Sequence, residues 1–103
     1  MINSVDFARE AEKTLYQIAE KIESADTECI IDVDLHDGIL TLETERGVFV
    51  VNRQSAAKEI WLSSPISGPY HFVFKDGNWI STKSGDDELF DLLFGEIGTI
   101  IKI

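Results

Sequence analysis

Residues 51–69 read VNRQSAAKEIWLSSPISGP and contain two short β-strand patterns whose outward-facing residues are unusual. In the first pattern, Asn52 and Gln54 alternate with apolar residues and share the outer face of the strand. In the second, an alternating isoleucine and leucine form the natural core pair, which leaves Trp61 on the opposite face. Protein interfaces are enriched in large aromatic residues. Alternation alone leaves two interpretations of Trp61 open: an exposed binding residue, or a side chain covered by a loop or a neighbour.

Amphipathic patterns on either side of this stretch predict one helix toward each end of the chain. In the first helix, apolar residues recur at spacings of four and three from Phe7 to Ile22 and form one continuous stripe. In the second, the apolar stripe runs from Leu89 to Ile97. The predicted end signals are Asn3 or Ser4 and Asp86 or Asp87 as N-caps, with Gly98 as the stop of the second helix.

Between the two helices the sequence predicts six strands. Asp37-Gly38 and Asp76-Gly77 are hairpin signals, each lying between two β-patterns. Turns this short require the strands that they join to be antiparallel neighbours. The joined strands are predicted at residues 28–35 with 39–44, and at residues 70–74 with 79–81.

Because both helices are apolar on one side, the predicted fold class is α+β. We expect a two-layer α/β sandwich in the order α-β(6)-α, with both helices on one face of an antiparallel sheet and the other face open to water. At 103 residues the chain should form a single domain, residues 1–103, with one core. The predicted buried face contains Phe49, Val51, Ile60, Leu62, Phe72 and Phe74, and the predicted open face contains Asn52, Gln54, Trp61 and His71.

Hydropathy and cysteine content narrow the class of protein further. No apolar run approaches the ~20 residues of a membrane span, and the N-terminus lacks the pattern of a secretion signal, so a cytoplasmic location is expected. The single Cys29 cannot form an internal disulfide or a thiolate metal cage. Its predicted role is packing within a strand, with a reactive thiol as the alternative.

The formal net charge of -10 is unevenly distributed. Residues 1–45 hold twelve of the nineteen acidic residues but only three of the nine Lys and Arg residues. Such a surface repels nucleic acid and anionic lipid, so neither is expected as a partner, and it attracts cations or a basic protein surface. The alternative is that the carboxylates only keep a small protein soluble.

The acids of the first helix and the first strand are predicted to form one ridge. If this strand is an edge strand beside the helix, alternation turns its carboxylates outward next to those of the helix. Carboxylate oxygens suit hard or borderline cations, but residues two apart on a strand are separated by ~6.5 Å. Several weak, exposed sites are therefore expected in place of a preformed cage. The predicted metal-binding residues are Glu20, Glu23, Asp26, Glu28, Asp32 and Asp34.

The carboxylates of this ridge and the nearby His36 each have a second interpretation. Outward carboxylates on an edge strand also discourage aggregation, which is an alternative reason for their presence. His36 could add a nitrogen ligand, although a lone histidine in a turn is more often only solvated.

Several segments of the chain, centred on the stretch quoted above, carry a family resemblance. They are Asn52-x-Gln54, Ile60-Trp61-Leu62-Ser63-Ser64-Pro65, Ser67-Gly68-Pro69, the helical opening 7–23, Gly38-Ile39-Leu40-Thr41 and Asp91-Leu92-Leu93. This set resembles the signature of the frataxin family, whose bacterial members are called CyaY. His71 stands where the eukaryotic branch usually has a basic residue, and the chain begins almost directly at the domain, as a bacterial member would.

The resemblance implies a function in iron-sulfur cluster assembly. It implies the same two-layer fold, iron as the weakly bound ion on the acidic ridge, and a cysteine desulfurase and the iron-sulfur scaffold protein as partners. In this interpretation Asn52, Gln54, Trp61 and His71 contact the partner complex. The protein is expected to be a monomer, with iron-dependent oligomerisation left open.

No catalytic activity is expected. The sequence has no Ser/His/Asp or Cys/His arrangement at a recognised spacing, no glycine-rich phosphate loop and no metalloprotease motif. Two alternatives to an iron-binding accessory protein stay open. One is a pure protein-interaction adapter with incidental cation binding, and the other is a weak ferroxidase that favours the harder Fe(III).

Overall fold

The computed structural model describes residues 2–103 and confirms the predicted order of one helix, six strands and one helix. The elements are α1 (Ser4–Ala25), β1 (Asp32–His36), β2 (Ile39–Thr44), β3 (Gly47–Gln54), β4 (Glu59–Ser64), β5 (Gly68–Lys75), β6 (Asn78–Ser81) and α2 (Leu89–Ile97). The six strands form one sheet in the order β1-β2-β3-β4-β5-β6, and every neighbouring pair is antiparallel. Strands β1 and β6 are therefore its two edges.

Both helices cover one face of the sheet, as predicted, and a single apolar core lies between the two layers. The apolar stripes of α1 and α2 are buried together with the inward residues of the strands, of which Phe74 is the one predicted member that stays half-buried. Trp79 joins the layers, because its indole Nε1 donates a 2.8 Å hydrogen bond to Thr14 Oγ1 on α1. The buried apolar strand residues are Leu40, Leu42, Phe49, Val51, Ile60, Leu62, Phe72 and Trp79.

Of the three predicted helix-end signals, two agree with the structure and one differs. Asn3 caps α1 by accepting a hydrogen bond from the Asp6 N–H, and α2 ends at Gly98. The N-cap of α2 is Glu88, whose side chain accepts a hydrogen bond from the Asp91 N–H, so the prediction of Asp86 or Asp87 was wrong. The backbone N–H groups of both of those aspartates are instead bonded to the hydroxyl of Ser84, which holds them in the preceding turn.

The first strand begins four residues later than predicted, at Asp32. Residues 27 and 28 form a turn, and Cys29 adopts a left-handed backbone conformation with φ 55°, which a β-ladder does not accept. Cys29 is consequently an exposed free thiol in the loop, and the prediction that it packs within a strand was wrong.

The β4–β5 loop, which carries the Ser-Pro-x-Ser-Gly-Pro part of the central stretch, is held to α2. Ser64 and Ser67 each donate a 2.6 Å hydrogen bond from their hydroxyl to the Glu96 carboxylate. The loop also packs closely on Gly47, where an added Cβ would lie 2.6 Å from Pro65 Cβ and φ is 118°. These contacts fix the end of β4, the strand that carries Trp61.

Within the described residues, neither helix combines the length and the hydropathy needed to cross a membrane.

Candidate binding surfaces

The sheet face opposite the helices carries a row of side chains that the strand register places side by side. Backbone pairing puts Asn52 of β3 opposite Trp61 of β4, and Trp61 opposite His71 of β5. Ile39 of β2 pairs with Asn52, and His36 of β1 pairs with Ile39, so the row extends across five strands. We call this surface the open face. Three of the four predicted partner-binding residues are therefore direct neighbours.

Trp61 is half-buried on the open face, and its position is set by specific contacts. Its ring stacks on the His71 imidazole, with the two centroids 4.2 Å apart and an angle of 6° between the planes. Its indole Nε1 donates a 2.7 Å hydrogen bond to Glu59 Oε1. The structure thus combines the two interpretations of Trp61: the side chain lies on the open face, and a neighbouring side chain covers part of it.

Glu59 links the members of this cluster and was not among the predicted site residues. Its Oε1 atom accepts the hydrogen bond from Trp61 and also lies 3.5 Å from His71 Nδ1. The second contact becomes an ion pair only when the imidazole is protonated. The alternation of β4 already placed Glu59 and Trp61 on one face, but only the register of β5 shows that His71 meets them both.

Gln54 lies one row away from Trp61 but is adjacent to the cluster, since it pairs with Glu59. A shallow depression lies on the other side of the tryptophan, toward the β4–β5 loop. Its lining includes Val50, Asn52, Trp61, Ser63, Pro69 and His71. The open face therefore offers a half-buried aromatic ring with an apolar and amide rim, the composition typical of protein-binding surfaces.

The predicted acidic residues lie around the β1 edge of the sheet, with one exception. The exception is Asp26, which is only 6% exposed. Its carboxylate accepts backbone hydrogen bonds from Ile30 N–H at 3.1 Å and Ile31 N–H at 2.7 Å. Asp26 thus closes the loop between α1 and β1, and its assignment to an exposed ridge is corrected.

The remaining acids are exposed but do not form one ridge. Glu20 and Glu23 on α1 line a groove between the helix and β1, together with Val33 and Leu35. Asp32 and Asp34 alternate with these apolar residues and point to the open face of the sheet, on the other side of β1. Glu28 lies in the turn after α1, not in the strand.

A cross-strand carboxylate pair lies at this edge and was missed by the sequence analysis. Asp32 of β1 pairs with Glu43 of β2, and both side chains are exposed on the open face. Cβ atoms of directly paired residues lie about 5 Å apart, and like charges in such a pair repel. A cation between the two carboxylates relieves this repulsion. We call Glu20, Glu23, Glu28, Asp32, Asp34 and Glu43 the acidic edge.

The acidic edge is negatively charged, but its carboxylates are not held in a defined arrangement. In residues 2–103, none of its carboxylates has a Lys, Arg or His nitrogen within 4.0 Å. Also within that range, no group of three or more His, Cys, Asp or Glu side chains is arranged to hold a metal ion. His36 Nε2 lies 3.9 Å from Asp37 Oδ2, and the His36 side chain is strongly exposed. The arrangement can attract cations through solvated carboxylates, with water completing the coordination shell.

Comparison with known proteins places these surfaces in a family context. The family model of the frataxin-like domain matches residues 1–103. The chain is 42% identical over 84 residues to the mitochondrial frataxin homolog of Saccharomyces cerevisiae and 37% identical over 111 residues to a mitochondrial frataxin-like protein of Leishmania donovani. It covers 48% and 59% of the length of these two relatives. It is 35% identical over 105 residues to the iron-sulfur cluster assembly protein CyaY of Thioalkalivibrio sulfidiphilus and covers 97% of that protein.

Solved structures agree with the sequence comparison. The frataxin of Psychromonas ingrahamii superimposes with a TM-score of 0.82 at 30% identity, over 95% of this chain and 90% of that one. A trimeric yeast frataxin complexed with ferrous iron superimposes with a TM-score of 0.80 at 38% identity, over 91% of this chain and 87% of that one. The family model over the whole chain, the full-length bacterial relative and the shared two-layer fold show that this chain belongs to the frataxin family.

Proposed function

We propose that this protein is an iron-binding accessory protein of iron-sulfur cluster assembly. In this proposal the acidic edge binds iron weakly, and the open face docks on a complex of a cysteine desulfurase and an iron-sulfur scaffold protein. Family membership supports the general role, because one relative is named for iron-sulfur cluster assembly and another was solved with ferrous iron.

The observation that carries the proposal is the set of unpaired carboxylates at the acidic edge. Within the part of the chain that the structure describes, no basic side chain lies within 4.0 Å of any of the six. Unpaired carboxylates that face one another, such as Asp32 and Glu43, gain from a bound cation and from a basic protein surface alike. Iron and a basic partner then compete for the same charges, and each weakens the binding of the other.

The open face supports a separate docking role. Trp61 lies on β4 and Asp32 on β1, three strands away, which corresponds to about 14 Å across the sheet. Trp61→Ala is expected to weaken binding to the partner complex at least tenfold, because a central half-buried aromatic residue typically contributes more than ~1.4 kcal/mol to an interface. Binding of iron to the same variant should be unchanged, which isothermal titration of both ligands would show.

The direct test of iron binding is an amide-resolved NMR titration under anaerobic conditions with Fe(II) and, separately, with Mg(II). Fe(II) should perturb the amides of the acidic edge and leave those around Trp61 unaffected. The double variant Asp32→Asn/Glu43→Gln should bind Fe(II) about tenfold more weakly, since it removes two adjacent ligands. The matched control Asp76→Asn/Asp86→Asn removes the same charge from exposed positions on either side of β6, at the opposite edge of the sheet, and should bind as the unmodified protein does.

A pure protein-interaction adapter is the second candidate, and the lack of a convergent ligand group among residues 2–103 favours it. In that case the carboxylates serve only to attract a basic partner surface. Equal affinity for Fe(II) and Mg(II), with identical footprints, would favour the adapter over a dedicated iron role.

We further propose that the protein is not an enzyme. If it were a ferroxidase, Fe(II) oxidation would be faster than in buffer alone and would slow in the Asp32→Asn/Glu43→Gln variant. We expect the rate with protein to match that in buffer, as followed by the absorbance of a ferrous chelator.

A further inference from the structure

On the exposed side of α1, a row of five side chains changes from basic to acidic along the helix. Arg9, Lys13, Tyr16, Glu20 and Glu23 follow one another at spacings of four, three, four and three residues, so they share one face of the helix. All five are exposed, and Tyr16 is 61% exposed. We call this row the α1 seam. It has two bases at one end, an aromatic ring in the middle and two acids at the other end.

This order is self-complementary when two helices meet in antiparallel orientation. With a two-fold axis through Tyr16, Arg9 lies opposite Glu23 of the second copy, because both are seven residues from the axis. Lys13 lies opposite Glu20 of the second copy to within one residue, or about 1.5 Å along the helix. A parallel arrangement would instead place like charges together. We propose that the α1 seam joins two copies of this chain in a weak, two-fold symmetric dimer.

The surroundings of the seam are compatible with this contact. The groove beside it, between α1 and β1, is lined by the exposed Leu35 and by Arg53. In residues 2–103, Lys13 has no carboxylate within 4.0 Å, so it is free to pair with a second copy. Arg9 has an exposed pairing with Asp6 at 2.7 Å, and exchanging one exposed ion pair for another costs little.

Two features keep the dimer weak. Glu12 lines the same groove. In the antiparallel arrangement it would lie level with Glu20 of the second copy, because both are four residues from the axis, and this approach of like charges opposes the pairing. Each copy also carries a net charge of -10. A helix seam of this length lies at the low end of specific interface sizes, so association is expected at concentrations of roughly 0.1–1 mM. A closed pair of this kind differs from the trimer of the yeast relative, because a trimer cannot be built from one two-fold interface.

Sedimentation equilibrium of the whole chain tests the proposal, at constant ionic strength and with a chelator that excludes cation bridging. Lys13→Glu and Glu20→Lys alone should each weaken association about tenfold, since each introduces two like-charge contacts across the axis. The double variant Lys13→Glu/Glu20→Lys restores both pairs with reversed sign, and its dissociation constant should return to within about threefold of the unmodified value.

Tyr16→Ala should also weaken association, and thermal unfolding of every variant checks that these exposed substitutions leave the fold intact. A chain that stays monomeric at about 1 mM overturns the proposal. So does a trimer, or a double variant that fails to recover association. A failed dimer test is distinguishable from a failure of iron binding, because Lys13 and Tyr16 lie outside the acidic edge and iron binding is tested at Asp32 and Glu43.

Discussion

The centre of the open face, around Trp61, and the acidic edge both present polar side chains to water, but they are built differently. On the open face, Trp61 is held by a stacked imidazole at 4.2 Å and by a hydrogen bond to Glu59 at 2.7 Å. At the acidic edge, the carboxylates of Asp32, Asp34 and their neighbours have no such contacts among residues 2–103. The open face therefore has a defined shape, whereas the acidic edge acts mainly through its negative electrostatic potential.

This difference indicates what each surface can recognise. A fixed aromatic ring with ordered neighbours distinguishes one partner surface from another, because binding does not have to order it first. Solvated carboxylates attract any cation or basic surface and select only weakly among them. We therefore expect specificity to reside on the open face, and affinity that varies with salt to reside at the acidic edge.

The largest expected effect on the free energy of unfolding concerns Asp26, the acid near this edge whose side chain has a fixed position. Asp26→Ala removes the acceptor of two backbone N–H groups, one of them at a buried residue. We expect a loss of about 2–4 kcal/mol in the free energy of unfolding, because unsatisfied buried donors are costly. Urea unfolding followed by fluorescence measures this loss.

The matched control for Asp26 is Glu28→Ala, which removes an exposed acid two residues later in the same loop. It should change the free energy of unfolding by less than about 0.5 kcal/mol. If Asp26→Ala were equally mild and also weakened iron binding, Asp26 would belong to the acidic edge and the contrast between the two surfaces would fail.

Asp26 also shows why sequence reasoning succeeded for the sheet and failed for part of the site. Alternation has a fixed period of two, so the buried residues Val51, Ile60 and Leu62 could be assigned without knowing how the strands pair. Whether an aspartate faces water or closes a loop depends on where the chain reverses between α1 and β1. No periodic pattern encodes that reversal.

The cross-strand pairs were inaccessible for a related reason. Asp32 meets Glu43, and Glu59 meets His71, only because the hairpins set a particular register. The residues of each pair are visible in the sequence, but a shift of one residue would change every partner. The faces of the strands were thus predictable, and the contacts across them were not.

The second effect in size concerns the open face itself. Trp61 is half-buried, so Trp61→Ala should cost about 1–2 kcal/mol in the free energy of unfolding, including the loss of the stacked pair. Urea unfolding again provides the measurement. A loss near zero would mean that the ring is mobile, and a loss above ~3 kcal/mol would mean that it is a core residue. Either result would contradict a docking surface with an ordered, half-buried tryptophan.

A smaller effect is expected from Glu59→Ala, which leaves Trp61 in place but removes its hydrogen-bond acceptor. We expect a loss of about 0.5–1.5 kcal/mol, the net contribution of one such bond. The more informative readout is the Trp61 Nε1–H resonance, which should shift and exchange faster with solvent. Glu43→Ala, at an exposed position on the same face, is the control and should leave this resonance unchanged.

The smallest effect in free energy tests the acidic edge by adding cations. Divalent ions should raise the melting temperature, since they bind the folded arrangement of carboxylates and relieve the repulsion between Asp32 and Glu43. For a site with a dissociation constant of about 1 mM, 1 mM of the ion stabilises the fold by about 0.4 kcal/mol, which corresponds to a rise of roughly 2–3 °C in a domain of this size.

Monovalent salt at equal ionic strength separates binding from screening in this experiment, because screening alone should give a smaller rise. The Asp32→Asn/Glu43→Gln variant should have a higher melting temperature without added ions and respond less to them, since the repulsion is already gone. If both salts raise the melting temperature of the unmodified protein equally, the acidic edge acts only through its overall negative charge and binds no ion at a defined site. In that case the contrast with the open face would sharpen, and the adapter would be favoured over the iron-binding protein.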